Sequence, residues 1–383
     1  MRVARLGAAV VALLGLAAVA PAGPGGSFRS GDEKESAPAP RGDDEPLPAV
    51  DAAVARGLKW LVGHQEPCGG WAGDSGHKQE DEYFVYQSAA QSRALGQAQM
   101  GVSALAGLAL LADGQLPDRG AFAESLDRLI TYVISRQNDF GYLEDGGSRM
   151  YSHSFATLFL AEVYGMCPRR HDEVARALGR AVDFTQKAQN EHGAWRYQPF
   201  TVEDDLSVTV CQVQALRAAR DAGIPVSATC IDRVVEYVRE SRIDEGRLAG
   251  AFYYKIHGRA ARTKTSFTVN AAGVTSLHSA GLYDEREYGA ALDCVAEWYD
   301  DLSRSYPDHF YFWYGNYYAA QALFTEGGAR WRRYWQALRA DLLARQRDDG
   351  RWLNDVGPGD AFATAVACLL LRVPAQYLPI FEK

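Results

Sequence analysis

The stretch Gln65-Glu66-Pro67-Cys68-Gly69-Gly70-Trp71 returns as Gln189-Asn190-Glu191-His192-Gly193-Ala194-Trp195 and again as Gln346-Arg347-Asp348-Asp349-Gly350-Arg351-Trp352. The shared pattern is Gln-x3-Gly-x-Trp. Two looser copies keep the spacing: Gln137-Asn138-Asp139-Phe140-Gly141-Tyr142 has Tyr directly after the glycine, and Arg242-Ile243-Asp244-Glu245-Gly246-Arg247-Leu248 has Arg for Gln and Leu for Trp. Five copies along one chain mark a repeat architecture. Each closes an apolar-periodic stretch, and the glycine falls where a chain leaving a helix needs a positive φ. The Gln amide is expected to bond open carbonyls of the helix end, and the aromatic ring to bury the turn.

Working outward from these turns, helical stretches alternate in character. A moderately charged set covers about 50–62, 122–135, 172–187, 227–240, 285–302 and 331–345, each with one wet face. A second set, about 99–112, 152–165, 206–222, 267–280, 312–324 and 361–371, is apolar on most sides, as helices buried within a protein are. Six pairs with alternating burial predict an all-α fold, an (α/α)6 toroid with the apolar helices as its inner ring. An open solenoid is the competitor. It would need polar capping repeats at both ends, whereas the last helix here is among the most apolar, so closure is expected.

The Gln-x3-Gly-x-Trp spacing resembles the QW motif of the triterpene cyclases, and Leu58-Lys59-Trp60-Leu61-Val62-Gly63-His64-Gln65 looks like its upstream half. The resemblance runs from about residue 49 to the C-terminus and implies the squalene cyclase and prenyltransferase repeat superfamily. It marks architecture more than activity.

Composition narrows the function. A net charge of −8 argues against general nucleic-acid binding, which depends on basic surface. Arg2 and Arg5 precede an apolar run, Leu6 to Ala20, and Ala20-Pro21-Ala22, so residues 1–22 read as a signal peptide of a periplasmic or secreted protein. The run is shorter than the roughly 20 residues of a bilayer span, which makes an uncleaved anchor the lesser alternative and leaves no stable membrane span after cleavage. Residues 23–48, rich in Gly, Pro, Ser and acids, read as a disordered linker, with the toroid occupying 49–383. The six cysteines, Cys68, Cys167, Cys211, Cys230, Cys294 and Cys368, are far apart and read as free thiols, disulfides being the alternative.

Because every apolar helix follows its turn in the same sense, the six inner N-termini should gather at one end of the ring, around a cavity suited to an anionic head group and an apolar tail. Two long insertions, 72–95 and 247–264, are candidate lids over that end; the second carries Lys264, and both carry charged and aromatic side chains.

The candidate chemistry sits at the starts of the inner helices. Asp204 and Asp205, in Glu203-Asp204-Asp205-Leu206, are similar to the last two acids of the Asp-x-Asp-Asp motif with which class II terpene cyclases protonate an alkene, although Val202 stands at the first position. Helix capping is the plainer reading of both, and of Asp360. His153 is a candidate general base or a hydrogen-bonded core histidine. Trp313, Tyr314, Tyr317 and Tyr318 would line the cavity with π faces for an apolar ligand, or simply pack. No cofactor is expected. No metal is expected either: the Asp-x-Cys pair with which the zinc prenyltransferases hold their metal does not occur at an inner helix, and the Cys-Gly-Glu-Gln run of the thioester toroids is absent.

The reading is therefore an exported toroid with a central pocket for an apolar or isoprenoid-like small molecule, acting as an acid-initiated cyclase-like lyase or isomerase if it is an enzyme. Two alternatives stay open. One is a non-catalytic binding or scaffold toroid, with room for a protein partner, that has lost the acid motif; the other is a glycan-active (α/α)6 enzyme.

Overall fold

The computed structural model describes residues 47–145, 149–258 and 261–381; the signal-peptide and nearly all of the linker assignments lie outside them. In chain order the elements are α1 (Pro48–Gly63), β1 (Ser75–Gln79), β2 (Glu82–Gln87), α2 (Ala89–Ala94), α3 (Met100–Ala112), α4 (Ala123–Ser135), α5 (Met150–Tyr164), α6 (His171–Lys187), α7 (Leu206–Asp221), α8 (Ala228–Glu240), α9 (Phe267–Ser279), α10 (Glu285–Ser305), α11 (Phe310–Glu326), α12 (Gly328–Arg345) and α13 (Asp360–Arg372). No helix among the described residues is long and apolar enough to cross a membrane.

The apolar set forms the inner ring. Helices α3, α5, α7, α9, α11 and α13 pack each against the next, and α13 packs against α3, so the ring closes. Every residue of α3 and of α9 is buried, as expected where a helix has neighbours on all sides. The charged set, α1, α4, α6, α8, α10 and α12, lies outside, each showing water one face.

The repeated motif works differently from the expectation of a self-contained helix stop. Each Gln amide bridges two units. Gln65 donates to the carbonyl of its own Gly69 at 2.8 Å and to that of Ser125, on the next outer helix, at 2.9 Å. Gln137 does the same to Gly141 and Ala177, and Gln189 to Gly193 and Cys230. Gln346 donates to Gly350 and, across 293 residues, to Ala53 of α1, which fastens the last unit to the first.

The glycines are required twice over. Gly69, Gly141, Gly193 and Gly350 have φ between +81° and +99°. A Cβ on any of them would also sit 2.2–2.6 Å from the carbonyl oxygen of Arg128, Arg180, Arg233 or Arg56 on that same next helix. The Trp71, Trp195 and Trp352 indoles bury fully and donate back to the preceding outer helix, at the carbonyls of Leu61, Thr185 and Leu342.

The fifth copy is displaced from its expected place. Gly246 has nothing near its Cβ direction, whereas Gly250, φ +89°, abuts Ala290 of α10, and buried Phe252 takes the position of the Trp. An insertion between Arg242 and Gly250 had left Gly246 at the right spacing by coincidence. In the second copy the Trp position is held by Leu143, one residue beyond Tyr142.

A further regularity follows. The backbone N–H at the Trp position donates to a polar side chain in the first turn or so of the inner helix: Trp71 to Ser103 Oγ, Leu143 to His153 Nδ1, Trp195 to Thr209 Oγ1, Phe252 to Asn270 Oδ1 and Trp352 to Thr364 Oγ1. Buried N–H groups demand such partners, and five of the six inner helices, α3, α5, α7, α9 and α13, supply one.

Candidate functional site

The expected gathering of inner N-termini does not leave a ring of open N–H groups. Gln99, Asp205, Ser266 and His309 cap α3, α7, α9 and α11 with their own side chains. The cations at this end come instead from the loops.

The insertion 72–95 folds as a roof. Strands β1 and β2 pair antiparallel through a tight turn in which Glu80 adopts φ +55°. The tip of this hairpin is held at the start of α11: Tyr311 OH donates to the Glu80 carbonyl at 2.7 Å, His309 Nε2 to that of Asp81 at 2.6 Å, and Tyr306 OH to the Asp81 carboxylate at 3.1 Å. Tyr83 packs its ring against Phe310.

Beneath the hairpin lies a cavity of about 160 Å³. Its floor and walls are mainly Val102, Leu105, Phe155, Val269, Phe362 and the rings of Tyr151, Tyr197, Tyr254, Tyr311 and Tyr314. Among the described residues no Asp or Glu lines it, and the charged lining residues are Lys78 from β1 and Arg149 just before α5. Lys78 Nζ stands 4.5 Å from the centre of the Tyr254 ring and 5.4 Å from that of Tyr311. Burial lowers the pKa of Lys78 below its ordinary value, against the pull of Asp205.

Asp205 sits behind this wall, fully buried. Its Oδ1 caps α7 by accepting from the Ser207 and Val208 N–H groups, at 2.9 and 3.3 Å, and from Ser207 Oγ at 2.6 Å. Its Oδ2 accepts from Tyr254 OH at 2.5 Å and from Arg196 at 3.2 Å. Burial pushes its pKa up, while Ser207, Tyr254, Arg196 and Lys78 pull it down.

Asp204 faces the other way. It accepts from the backbone N–H groups of Ile256 and His257 at 2.8 and 3.0 Å and from Tyr237 OH at 3.0 Å, and so folds the insertion 247–264 against the ring. Neighbouring carboxylates on one capping turn thus have opposite faces, and the two cannot act on one substrate in the cavity.

The other expected site residues divide in the same manner. His153 lies between α5 and α6, fully buried, with Nδ1 accepting from Leu143 N–H and Nε2 therefore carrying the proton toward Thr185 Oγ1 at 2.9 Å. Burial lowers its pKa to about 3. It occupies the polar position that five of the units use to satisfy their turns, and it does not line the cavity. Tyr314 does line the cavity; Trp313 turns outward to the Leu353 carbonyl. Tyr317 and Tyr318 fill the bore below, Tyr317 edge-on to Phe155, and Tyr318 sharing Cys211 Sγ with Tyr314 at 3.0 Å each. Lys264 contributes its carbonyl to Tyr254 N–H, and Asp360 bonds Asn354 N–H at 2.9 Å beside Arg351, outside the cavity.

Several lining residues were not singled out as site residues. Arg149 and Tyr197 carry no motif, Ser207 stood out only as the end of the acidic stretch from Glu203, and Lys78, Tyr83, Tyr86 and Tyr254 only as parts of the insertions. The six cysteines are free thiols. Among the described residues no group of three or more His, Cys, Asp or Glu side chains is placed to hold a metal ion.

No family model matches the chain, nor does any curated protein. Solved structures do. An inactive variant of the alpha-1,6-mannanase GH76A of Salegentibacter sp. HEL1_6, in complex with alpha-1,6-mannotetrose, superposes with a TM-score of 0.56 at 7% identity, over 86% of this chain and 99% of that one. A D-mannose isomerase gives 0.56 at 13%, over 87% and 98%. A variant of the type II terpene cyclase MstE from Scytonema, with geranylgeranyl dihydroxybenzoate bound, gives 0.51 at 12%, over 86% and 99%. The chain is an (α/α)6 toroid. Its likeness extends to terpene-active and carbohydrate-active proteins alike, and at these identities it establishes the fold and favours neither branch.

Proposed function

We propose that the toroid binds a small amphipathic anion in its central cavity, with the acid group against Lys78 and Arg149 and a ring-sized body among the aromatic side chains. The observation that carries this reading is the charge of the lining: among the described residues, two cations, many phenol rings and no carboxylate. A cation held over aromatic faces in a half-closed space gains from an anionic ligand what bulk water would otherwise supply. A cavity of about 160 Å³ resembles the engineered pocket of roughly 150 Å³ that accepts one benzene ring, which favours a single-ring body over a folded polyprene.

The acid-initiated cyclase reading draws less support. Its proton donor would be Asp204 or Asp205: the first is spent on Ile256, His257 and Tyr237, and the second lies behind the cavity wall, spent on Ser207, Val208, Tyr254 and Arg196. The glycan-hydrolase reading needs two carboxylates flanking one bond, and among the described residues the cavity wall presents none. Two consecutive aspartates were replaced to inactivate the similar mannanase; the consecutive pair here points to opposite sides.

Calorimetric titration with benzoate and benzamide, a matched anion and neutral amide, tests the reading. Benzoate is expected to bind and benzamide to bind at least about tenfold more weakly, with Lys78→Met abolishing the difference. Equal binding of the two, or a preference for benzoate indifferent to Lys78, would overturn it.

A further inference from the structure

Asp205 is linked to the cavity by two hydroxyl chains, one from each carboxylate oxygen. On Oδ1, Ser207 Oγ donates to Asp205, and Ser207 Oγ is 2.8 Å from Tyr151 OH. On Oδ2, Tyr254 OH donates to Asp205, and Tyr254 OH is 2.8 Å from Tyr197 OH. All four hydroxyl-bearing residues line the cavity, and Asp205 does not.

A hydroxyl has one proton to give. Ser207 and Tyr254 give theirs to the carboxylate, so each must accept from the phenol next in line. Tyr151 and Tyr197 then spend their own protons inward, and their oxygens are left with lone pairs only. The Ser207 and Val208 N–H groups and Arg196 surround the same carboxylate with further donors, which keeps it the acceptor at the end of both chains. Tyr314 adds nothing to the contrary, since its hydroxyl donates to the Ser207 carbonyl.

The two phenol rings stand 5.9 Å apart, centre to centre, Tyr151 in the first turn of α5 and Tyr197 in the segment between α6 and α7. The charged groups Lys78 and Arg149 can only donate. The lining therefore holds, among its polar groups, one pair that can only accept and one pair that can only donate.

We infer that the ligand is a hydroxy acid, its acid group taken by Lys78 and Arg149 and its hydroxyl donating to Tyr151 and Tyr197, whose acceptor polarity is fixed by Asp205 through Ser207 and Tyr254. This rests on the anion-binding reading and names its substrate class. Asp205 is a positioning residue in this scheme, acting on the ligand only through the two hydroxyl chains. A hydroxyl that donates to a partner with no proton to spare gains a full bond, and an ether in its place leaves two acceptors facing each other.

Two pairs of probes test the inference: 4-hydroxybenzoate against 4-methoxybenzoate, and glucuronate against its 4-O-methyl ether. The arms separate an aryl hydroxy acid from a sugar acid. In at least one pair the hydroxyl form is expected to bind about tenfold or more tightly than its ether. Tyr151→Phe combined with Tyr197→Phe should reduce that preference to about twofold or less, because the hydroxyl form loses its acceptors and the ether loses the oxygens that oppose it. Asp205→Asn, whose amide can donate into one chain and reverse it, should narrow the preference in the same direction. The Tyr pair keeps the test usable if loss of the Asp205 cap prevents folding.

A tenfold preference that survives the double Tyr variant, or no preference in either pair, overturns the inference. Failure of the underlying reading looks different: hydroxyl preference would persist, yet Lys78→Met would leave every affinity as it was. Absence of binding in both pairs overturns the two together.

Discussion

Gln346→Ala tests whether the ring is shut in solution. The Gln346 amide donates to Ala53 at 2.8 Å and to Gly350 at 2.9 Å, and its oxygen accepts from Arg56. Two neutral bonds at about 1 kcal/mol each, plus a partly exposed bond to a cation, give a loss of roughly 2–3 kcal/mol on truncation. Gln137 makes the same two kinds of bond, to Gly141 and Ala177, in the interior of the array. In an open array the first and last units would not touch, and removing Gln346 would cost only its bond to Gly350, about 1 kcal/mol. In a closed ring the two substitutions should cost nearly the same. Urea unfolding of both variants measures this, read as a shift in midpoint at constant slope. A loss of about 1 kcal/mol or less for Gln346→Ala, alongside the full loss of roughly 2 kcal/mol for Gln137→Ala, would refute closure and with it the enclosed cavity.

Gly193→Ala should be far more damaging than either, above roughly 3 kcal/mol, because it combines a positive φ with a contact to the Arg233 carbonyl that cannot be relieved by a side-chain rotation; soluble yield and thermal unfolding check it. His153 is held neutral, with its pKa lowered to about 3 from an unfolded value near 6.5. A base depressed in this way contributes stability that is present above pH 6.5 and lost as pH falls toward 3, at up to about 1.4 kcal/mol per pH unit. His278, lowered to about 4 by burial, acts in the same sense. His153→Gln should flatten the acid limb of a stability-against-pH curve, and an unchanged limb would count against the assignment. For the ligand, Lys78 has a lowered pKa, so affinity for an anion should fall with rising pH earlier than an ordinary lysine would allow; titrations of benzoate across the alkaline range, repeated in Lys78→Met, detect it.

The ring itself was legible because two independent signals agree: the recurring glycine turns, and the alternation of wet-faced and fully apolar helices. The Gln–Gly bridge to the following helix was not, since a motif shows which residues recur and says nothing of which neighbour they reach. Gly246 was misplaced for a related reason. A lone glycine four residues after an arginine satisfies the spacing, while the true turn at Gly250 is separated by an insertion and carries Phe252 in place of Trp. The site was read less well. Asp204 and Asp205 drew notice as a pair, yet their side chains diverge on a single capping turn, which sequence cannot show. His153 could have been recognised from the series Ser103, His153, Thr209 and Asn270, each the fourth residue of its inner helix. The cations Lys78 and Arg149 lie on the β1 strand of an insertion and at the residue before α5, outside every motif, and only three-dimensional placement sets them apart from the many other charged residues.

The latch between the hairpin tip and α11 relies on main-chain oxygens at Glu80 and Asp81, with only Tyr306 reaching for a side chain. Its fastening is thus nearly blind to what the tip residues are. Someone wishing to retune access to the chamber could exchange the tip side chains freely, Glu80 for glycine included, and the door would still find its catch; the vulnerable half of the hinge-and-hasp is the receiving side, Tyr311 and His309.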